Sequence, residues 1–80
     1  MAKRVSLTEL TAGRPATIVE IQAGEGLVRR LEALGIRVGQ RVEKVSGPFI
    51  RGPVTVRVGN IRAAIGFGAA SKVVVQAEER

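Results

Sequence analysis

The sequence LVRRLEALGIRVGQRVEKV, residues 27–45, predicts a helix, a glycine stop, a tight turn and a strand. Its three leucines recur at intervals of four and three residues, which predicts one apolar stripe along a helix. These leucines are Leu27, Leu31 and Leu34. Gly35 follows the last of them, where a helix commonly ends on a residue in the left-handed conformation. Ile36 is then expected to fold back onto Leu31, as in a Schellman motif.

The chain is predicted to bend again at residues 37–40 before it enters a strand. Gly39 is the third residue of this bend, the position of a type II turn that needs a positive φ. The strand that follows, residues 40–46, is expected to bury Val42 and Val45. Its charged side chains are expected mostly on the outer face: Arg41, Glu43 and Lys44. One short helix is thus held at both of its exit bends, with sheet around it.

Before this segment, the sequence predicts a short first strand or covering segment at Val5, one helical turn and a longer strand. Residues 6–9, Ser-Leu-Thr-Glu, have the spacing of a capping box, in which the serine and the glutamate satisfy free amide groups reciprocally. The longer strand covers residues 16–22. Because its alternation is imperfect, its inner face is assigned by choice to Val19 and Ile21.

After this segment, a loop between two Gly-Pro pairs, residues 47–53, is predicted to carry Phe49, Ile50 and Arg51 at its tip. The tip either folds back over the end of a barrel, which we favour, or projects as a binding patch. The later elements are an alternating valine strand at 54–58, a Gly59-Asn60 hairpin, a returning strand at 61–65, a small-residue corner at 66–71 and a closing strand at 72–77.

Length and composition favour a single mainly β domain over residues 1–80. The chain has 80 residues, 45% of them hydrophobic, with 10 glycines, 3 prolines and no Trp or Tyr. β-Branched residues suit strands, and the glycines and prolines supply turns. We therefore predict a small SH3-like, partly open barrel of about five strands, with one short α-helix between the first two main strands.

The residue types present restrict the chemistry that this chain can perform. It contains no His and no Cys, and its 7 acidic residues are all glutamates, scattered along the sequence apart from the adjacent Glu78 and Glu79. We expect no catalytic residues, no metal ligands and no cofactor, and hence a protein that is not an enzyme. No apolar run has the length of a signal or a membrane span, from which we expect a cytoplasmic protein. The net charge of +6 favours an acidic partner.

The order of these signals resembles the FeoA family, ferrous iron transport protein A, over nearly the whole chain. The most specific match is RRLEALGIRVG at residues 29–39, followed by Gly52-Pro53-Val54, residues 59–65 and the valines at 73–75. Val38 stands where the family usually has proline, which makes the bend less rigid.

The resemblance implies an SH3-like protein that acts without catalysis as a cytoplasmic accessory of FeoB. FeoB is the membrane ferrous iron transporter that carries a cytosolic GTP-binding domain. Modulation or assembly of the transporter is the implied role, and binding would bring the protein to the inner face of the membrane. The family description includes transition metal ion binding, which the residues of this chain do not favour.

Two functional hypotheses follow from the sequence. The first is a protein–protein interaction module of iron uptake, with a partner-binding surface made of Arg29, Arg30, Glu32, Arg37, Phe49, Ile50 and Arg51. The alternative is a small basic nucleic-acid-binding β-barrel, although no specific nucleic acid is expected because stacking aromatics are scarce. Self-association through the apolar loop tip or an unpaired edge strand is a further expectation.

Overall fold

The computed structural model of the chain describes residues 3–48 and 50–78. The elements in these ranges are β1 (Arg4–Ser6), β2 (Pro15–Ile21), α1 (Glu25–Ala33), β3 (Arg41–Ser46), β4 (Val54–Val58), β5 (Ile61–Ile65), α2 (Phe67–Ser71) and β6 (Val73–Ala77). Neither helix is long or apolar enough to cross a membrane, considering the same residues. The predicted mainly β architecture is confirmed: the described residues contain six strands where about five were predicted, β1 lies at the predicted Val5, and α2 lies at the small-residue corner.

The strands form one open antiparallel sheet in the order β1-β6-β2-β3-β4-β5. The buried apolar side chains of the sheet and of α1 belong to one cluster. The largest fully buried members are Leu7, Ile18, Ile36, Val42, Val54, Val56, Val73 and Val75. Leu7 and Ile36 lie outside the strands, and because the other six alternate along theirs, a single face of the sheet carries the core. The predicted inward valines of β4 are confirmed.

The C-terminus of α1 is the predicted Schellman motif. The Ile36 N–H donates to the Leu31 carbonyl and the Gly35 N–H donates to the Glu32 carbonyl, each at 2.9 Å. Gly35 has φ of 88°, and both Leu31 and Ile36 are buried. Leu34, which was assigned to the apolar stripe, is 40% exposed because it caps the helix beyond its last full turn.

The second bend is the predicted type II turn, and it is tied to the sheet. The Gln40 N–H donates to the Arg37 carbonyl at 3.0 Å, and Gly39 has φ of 93°. The Gly39 N–H donates to the Ile18 carbonyl of β2 at 2.8 Å. The exit of α1 is therefore fixed to the middle of β2 before β3 begins.

The inner face of β2 differs from the predicted one. Ala16 and Ile18 are fully buried, whereas Val19 is only half-buried. The pairing of β2 with β6 shifts register between Ile18 and Glu20, so Val19 is the extra residue of a bulge. The assignment of Val19 to the core was therefore wrong, while Ile21 packs against the core as predicted.

The inner face of β3 also differs, because it contains a lysine. Lys44 lies opposite Val56 of β4 and is 3% exposed, and the register then shifts before Ser46. Strict alternation from Val42 buries Lys44 and leaves Val45 half-buried, so the predicted burial of Val45 and exposure of Lys44 were wrong. Strand pairing, and not the hydrophobicity of Val45, therefore determines which side chains of β3 face the core.

Polar partners make the burial of Lys44 tolerable. Its Nζ donates to the Leu10 carbonyl at 2.6 Å and to the Thr8 carbonyl at 2.9 Å. These carbonyls end the N-terminal turn, where the glutamate half of the predicted capping box forms: the Ser6 N–H donates to Glu9 Oε1 at 3.2 Å. The serine half does not form, because the Glu9 N–H donates to the Ser6 carbonyl and Ser6 Oγ pairs with Thr8 Oγ1. The turn is a single hydrogen-bonded turn rather than a helix. Lys44 thereby attaches the N-terminal turn to the sheet.

Replacing Gly35 with Ala is expected to destabilise the domain by about 1–2 kcal/mol. The positive φ disfavours an L side chain, and the new Cβ would lie 3.3 Å from Val58 Cγ1. Gly26→Ala is the matched control because Gly26 lies within α1 with nothing within 4 Å of an added Cβ, so alanine should stabilise the helix by up to about 1 kcal/mol. Urea unfolding measures both, and equal effects would contradict the role of Gly35.

Replacing Lys44 with Met is expected to lower the free energy of unfolding by roughly 1–3 kcal/mol, because two buried carbonyls lose their donor. Lys72→Met removes the same charge from an exposed position and should change stability little. Thermal and urea unfolding of the two variants test this. A Lys44→Met protein as stable as the Lys72→Met protein would show that the amine is not required.

The Lys44 amine should also make stability depend on alkaline pH. Burial lowers the pKa of Lys44 below its ordinary value of 10.5. Between the lowered pKa and 10.5 the unfolded chain binds more protons than the folded chain, so the free energy of unfolding contributed by Lys44 rises with pH in that interval. Urea titrations from neutral pH to pH 10.5 should show the wild type gaining stability relative to Lys44→Met. A flat or falling difference would contradict this.

Candidate partner-binding surface

Four of the predicted partner-binding residues lie on α1 and the bend after it. Arg29, Arg30, Glu32 and Arg37 are all exposed. We call them the helix patch. Arg29 Nη2 lies 3.8 Å from Glu25 Oε2, one turn earlier, with side chains 76% and 89% exposed. An ion pair this exposed holds Arg29 weakly, so a partner's carboxylate can replace Glu25 at little cost.

Two further predicted residues, Ile50 and Arg51, lie at the tip of the loop between β3 and β4. Ile50 is 95% exposed and has φ of 57°. Arg51 is also exposed, and its guanidinium carbon lies 5.7 Å from the centroid of the Phe67 ring in α2. We call Ile50 and Arg51 the loop patch. Phe49 lies outside the described residues.

Ile50 projects into solvent and does not fold back over the end of the barrel. The prediction that the tip folds back was therefore wrong at this residue. The loop returns sharply, since a Cβ on Gly47 would overlap the Pro53 carbonyl oxygen. Within the small-residue corner, Phe67 is half-buried with Arg51 above it, whereas Ala70 is fully buried.

The helix patch and the loop patch lie at opposite ends of β4. The C-terminus of α1 meets the last residue of β4, since Gly35 approaches Val58 Cγ1. The loop instead leads into Val54, the first residue of β4, which is roughly 13 Å away along a strand. The predicted residues are therefore brought together as two patches and not as one surface.

A third group of charged residues was not predicted from the sequence. A groove of about 380 Å³ is lined by Pro15, Arg41, Glu43 and Arg57, among others. Arg41 Nε lies 2.8 Å from Glu78 Oε1, and the Arg57 guanidinium donates to the Glu43 carboxylate. Strand register creates these pairs between residues far apart in sequence, so alternation within one strand could not reveal them. Both arginines in the groove already have a carboxylate partner.

The arrangement of carboxylates does not fit a metal site. Glu25, Glu43 and Glu78 each lie beside an arginine. Within residues 3–48 and 50–78, no three His, Cys, Asp or Glu residues are grouped closely enough to hold a metal ion. An arginine beside each of these glutamates also opposes the approach of a cation. We therefore derive no chemistry through a bound metal.

Comparison with known proteins places these observations in a family. Residues 5–77 match the model of the FeoA domain. A protein of Methanocaldococcus jannaschii, provisionally named Fe(2+) transport protein A, is 31% identical over 67 residues, which cover 84% of this chain and 79% of the relative.

Solved structures agree with the family match. The crystal structure of an iron uptake regulatory protein (FeoA) has a TM-score of 0.86 and 29% identity, covering 95% of this chain and 99% of that one. Stenotrophomonas maltophilia FeoA complexed with zinc, described as a procaryotic SH3 domain protein, has a TM-score of 0.75 and 35% identity, covering 89% and 88%. The predicted SH3-like fold and the predicted resemblance are both confirmed.

Proposed function

Because this chain belongs to the FeoA family of ferrous iron transport accessory proteins, we propose that it binds the FeoB transporter and modulates or assembles it. It does so without catalysis of its own, in the cytoplasm and at the inner face of the membrane once it is bound. The supporting observation is an exposed, arginine-rich helix face held rigidly on an SH3-like sheet. The Stenotrophomonas maltophilia relative has itself been described as a candidate ferrous iron transport activating factor.

The helix patch is proposed as the main contact with the transporter. Its backbone is fixed by the Schellman motif and by the hydrogen bond from Gly39 to β2. Binding therefore costs little backbone conformational entropy. Arg29 and Arg30 provide guanidinium groups, which are frequent at the energetic centre of interfaces. The cytosolic GTP-binding domain of FeoB, or its membrane-proximal part, would supply carboxylates to them.

The loop patch is proposed as a second contact, because Ile50 presents an apolar side chain to solvent at 95% exposure. Arg51 above Phe67 limits how far the loop can move. Since the two patches lie at opposite ends of β4, a partner that contacts both must span that strand. A smaller partner domain would contact the helix patch alone.

The alternative function, binding of nucleic acid, rests on the net charge of +6. Single-strand binding normally uses exposed aromatic rings as stacking platforms. Phe67 is half-buried beneath Arg51, which leaves its ring poorly placed for a base. Charge alone would give binding that collapses as salt increases.

Reversing the charge of Arg29 and Arg30 in the helix patch is expected to weaken transporter binding strongly. In the Arg29→Glu/Arg30→Glu variant, affinity for the purified cytosolic domain of a cognate FeoB should fall about tenfold or more, because both guanidinium contacts become repulsive. A pull-down with and without GTP, at low and moderate salt, measures this. Arg4→Glu/Lys72→Glu is the matched control, since both residues are exposed and the change in net charge is the same.

The outcomes separate the two functions. Saturable binding that persists at moderate salt and is lost only in the helix-patch variant supports the accessory role. Equal binding by both variants would remove the helix patch from the interface. Binding to a random oligonucleotide alone, lost as salt increases, would favour the nucleic-acid alternative.

A further inference from the structure

Among the residues that the structure describes, no strand lies beside the outer edge of β5, the last strand of the sheet. In the order β1-β6-β2-β3-β4-β5, β5 pairs within these residues with β4 alone. Ile61 is 61% exposed, and Arg62 and Ala64 are also exposed. The opposite terminal strand, β1, is only three residues long, whereas β5 has five. An open strand edge is a template for pairing with another chain.

The hairpin between β4 and β5 determines which backbone groups face this edge. Its loop has two residues, so the flanking pair, Val58 and Ile61, is the first hydrogen-bonded pair. Alternation then directs the backbone groups of Ala63 and Ile65 to β4. The N–H and C=O groups of Arg62 and Ala64 point away from the sheet. Within the described residues, neither has a backbone hydrogen bond to a turn or loop.

A row of charged side chains crosses the outer face of the sheet to this edge. Strand register places Glu43 opposite Arg57 and Arg57 opposite Arg62. Glu43 accepts a hydrogen bond from Arg57, while Arg62 faces a like charge, an arrangement that is destabilising. Among the described residues, no carboxylate lies within ion-pair distance of Arg62. A carboxylate one strand further along the row would relieve this repulsion.

We propose that the outer edge of β5 binds an extended acidic segment of a partner protein. The segment would pair with the outward N–H and C=O groups of Arg62 and Ala64 and place a carboxylate beside Arg62. Its alternate side chains would point to the inner side, where Ile61 offers apolar surface. This inference does not rest on FeoB being the partner of the helix patch.

Charge favours an acidic segment over a second copy of this chain. β5 contains an arginine and no carboxylate, and each copy carries a net charge of +6. Pairing β5 with β5 of another copy would therefore add positive charge to the row that already holds Arg57 and Arg62. A nucleic acid could neutralise Arg62, but it has no peptide backbone to pair with the strand.

A peptide-binding assay tests the charge requirement. The probe is a short fluorescein-labelled peptide in which glutamate alternates with valine, and its partner probe has lysine at every glutamate position. We expect the wild type to bind the glutamate peptide at least about tenfold more tightly than the lysine peptide. Arg62→Glu should reverse this preference. Arg4→Glu, which changes the charge by the same amount on β1, should preserve it.

A second measurement tests strand addition itself. Ala64→Pro removes one outward N–H and leaves the β4–β5 hydrogen bonds in place, so it should weaken peptide binding. Amide hydrogen exchange at Arg62 and Ala64 should slow when the glutamate peptide binds, while Ala63, already paired with β4, should change little. The exchange experiment uses the wild-type protein, so it decides the matter even where Ala64→Pro fails to fold.

Several results would overturn the proposal. Equal affinity for the two peptides would remove the role of Arg62, and unchanged exchange at Arg62 and Ala64 would remove strand addition. Peptide-free protein that sediments as a dimer, and as a monomer after Ala64→Pro, would identify a second copy as the occupant. Since the assay contains no transporter, a failed FeoB pull-down and a failed peptide assay are separate outcomes.

Discussion

The arrangement of this small domain depends on two backbone bends that only glycine accommodates easily. Gly35 ends α1 at φ of 88° and approaches Val58 of β4, and Gly39 turns the chain at φ of 93° and donates to Ile18 of β2. In five residues the chain thus joins a helix to two strands that are not adjacent in the sheet. Ile36, between the two glycines, is fully buried. The exposed arginines of α1 and of the bend take their positions from this construction.

The buried Lys44 shows how a core of this size is completed with a polar side chain. A domain of 80 residues buries only ~60–65% of the surface of its unfolded chain, so apolar burial alone gives a narrow margin. Lys44 adds two hydrogen bonds to the turn before β2, and its own carbonyl accepts one from Gly13 at 2.6 Å. The N-terminal turn is therefore held to β3 by specific bonds as well as by Leu7 and Leu10.

Local signals predicted most of the fold, and long-range pairing explains the rest. The Schellman stop, the type II turn and the Gly59-Asn60 hairpin each depend on a few consecutive residues, and the sequence alone located all three. The inner face of β2 was misassigned at Val19 because a bulge depends on the partner strand. The inner face of β3 was misassigned because the apolar character of Val45 was weighted above the regular alternation that buries Val42 and Lys44, with the bulge only after Lys44. Because strand register sets the cross-strand neighbours, the sequence identified single exposed arginines but not the row of charges that crosses the sheet.

The distribution of charge connects the helix patch with the outer edge of β5. Glu43 and Glu78 each pair with an arginine of the sheet. The exposed arginines without a carboxylate at ion-pair distance, within the described residues, include Arg37 and Arg62 at the margins of the sheet. The margin at the exit of α1 meets the margin at the start of β5, because Gly35 approaches Val58 and Val58 is also the strand partner of Ile61. The bend carrying Arg37 and the start of β5 therefore lie at the same end of β4. An acidic segment that pairs along β5 from its Ile61 end passes close to the exit of α1, so one partner can contact both margins without spanning β4 to the loop patch.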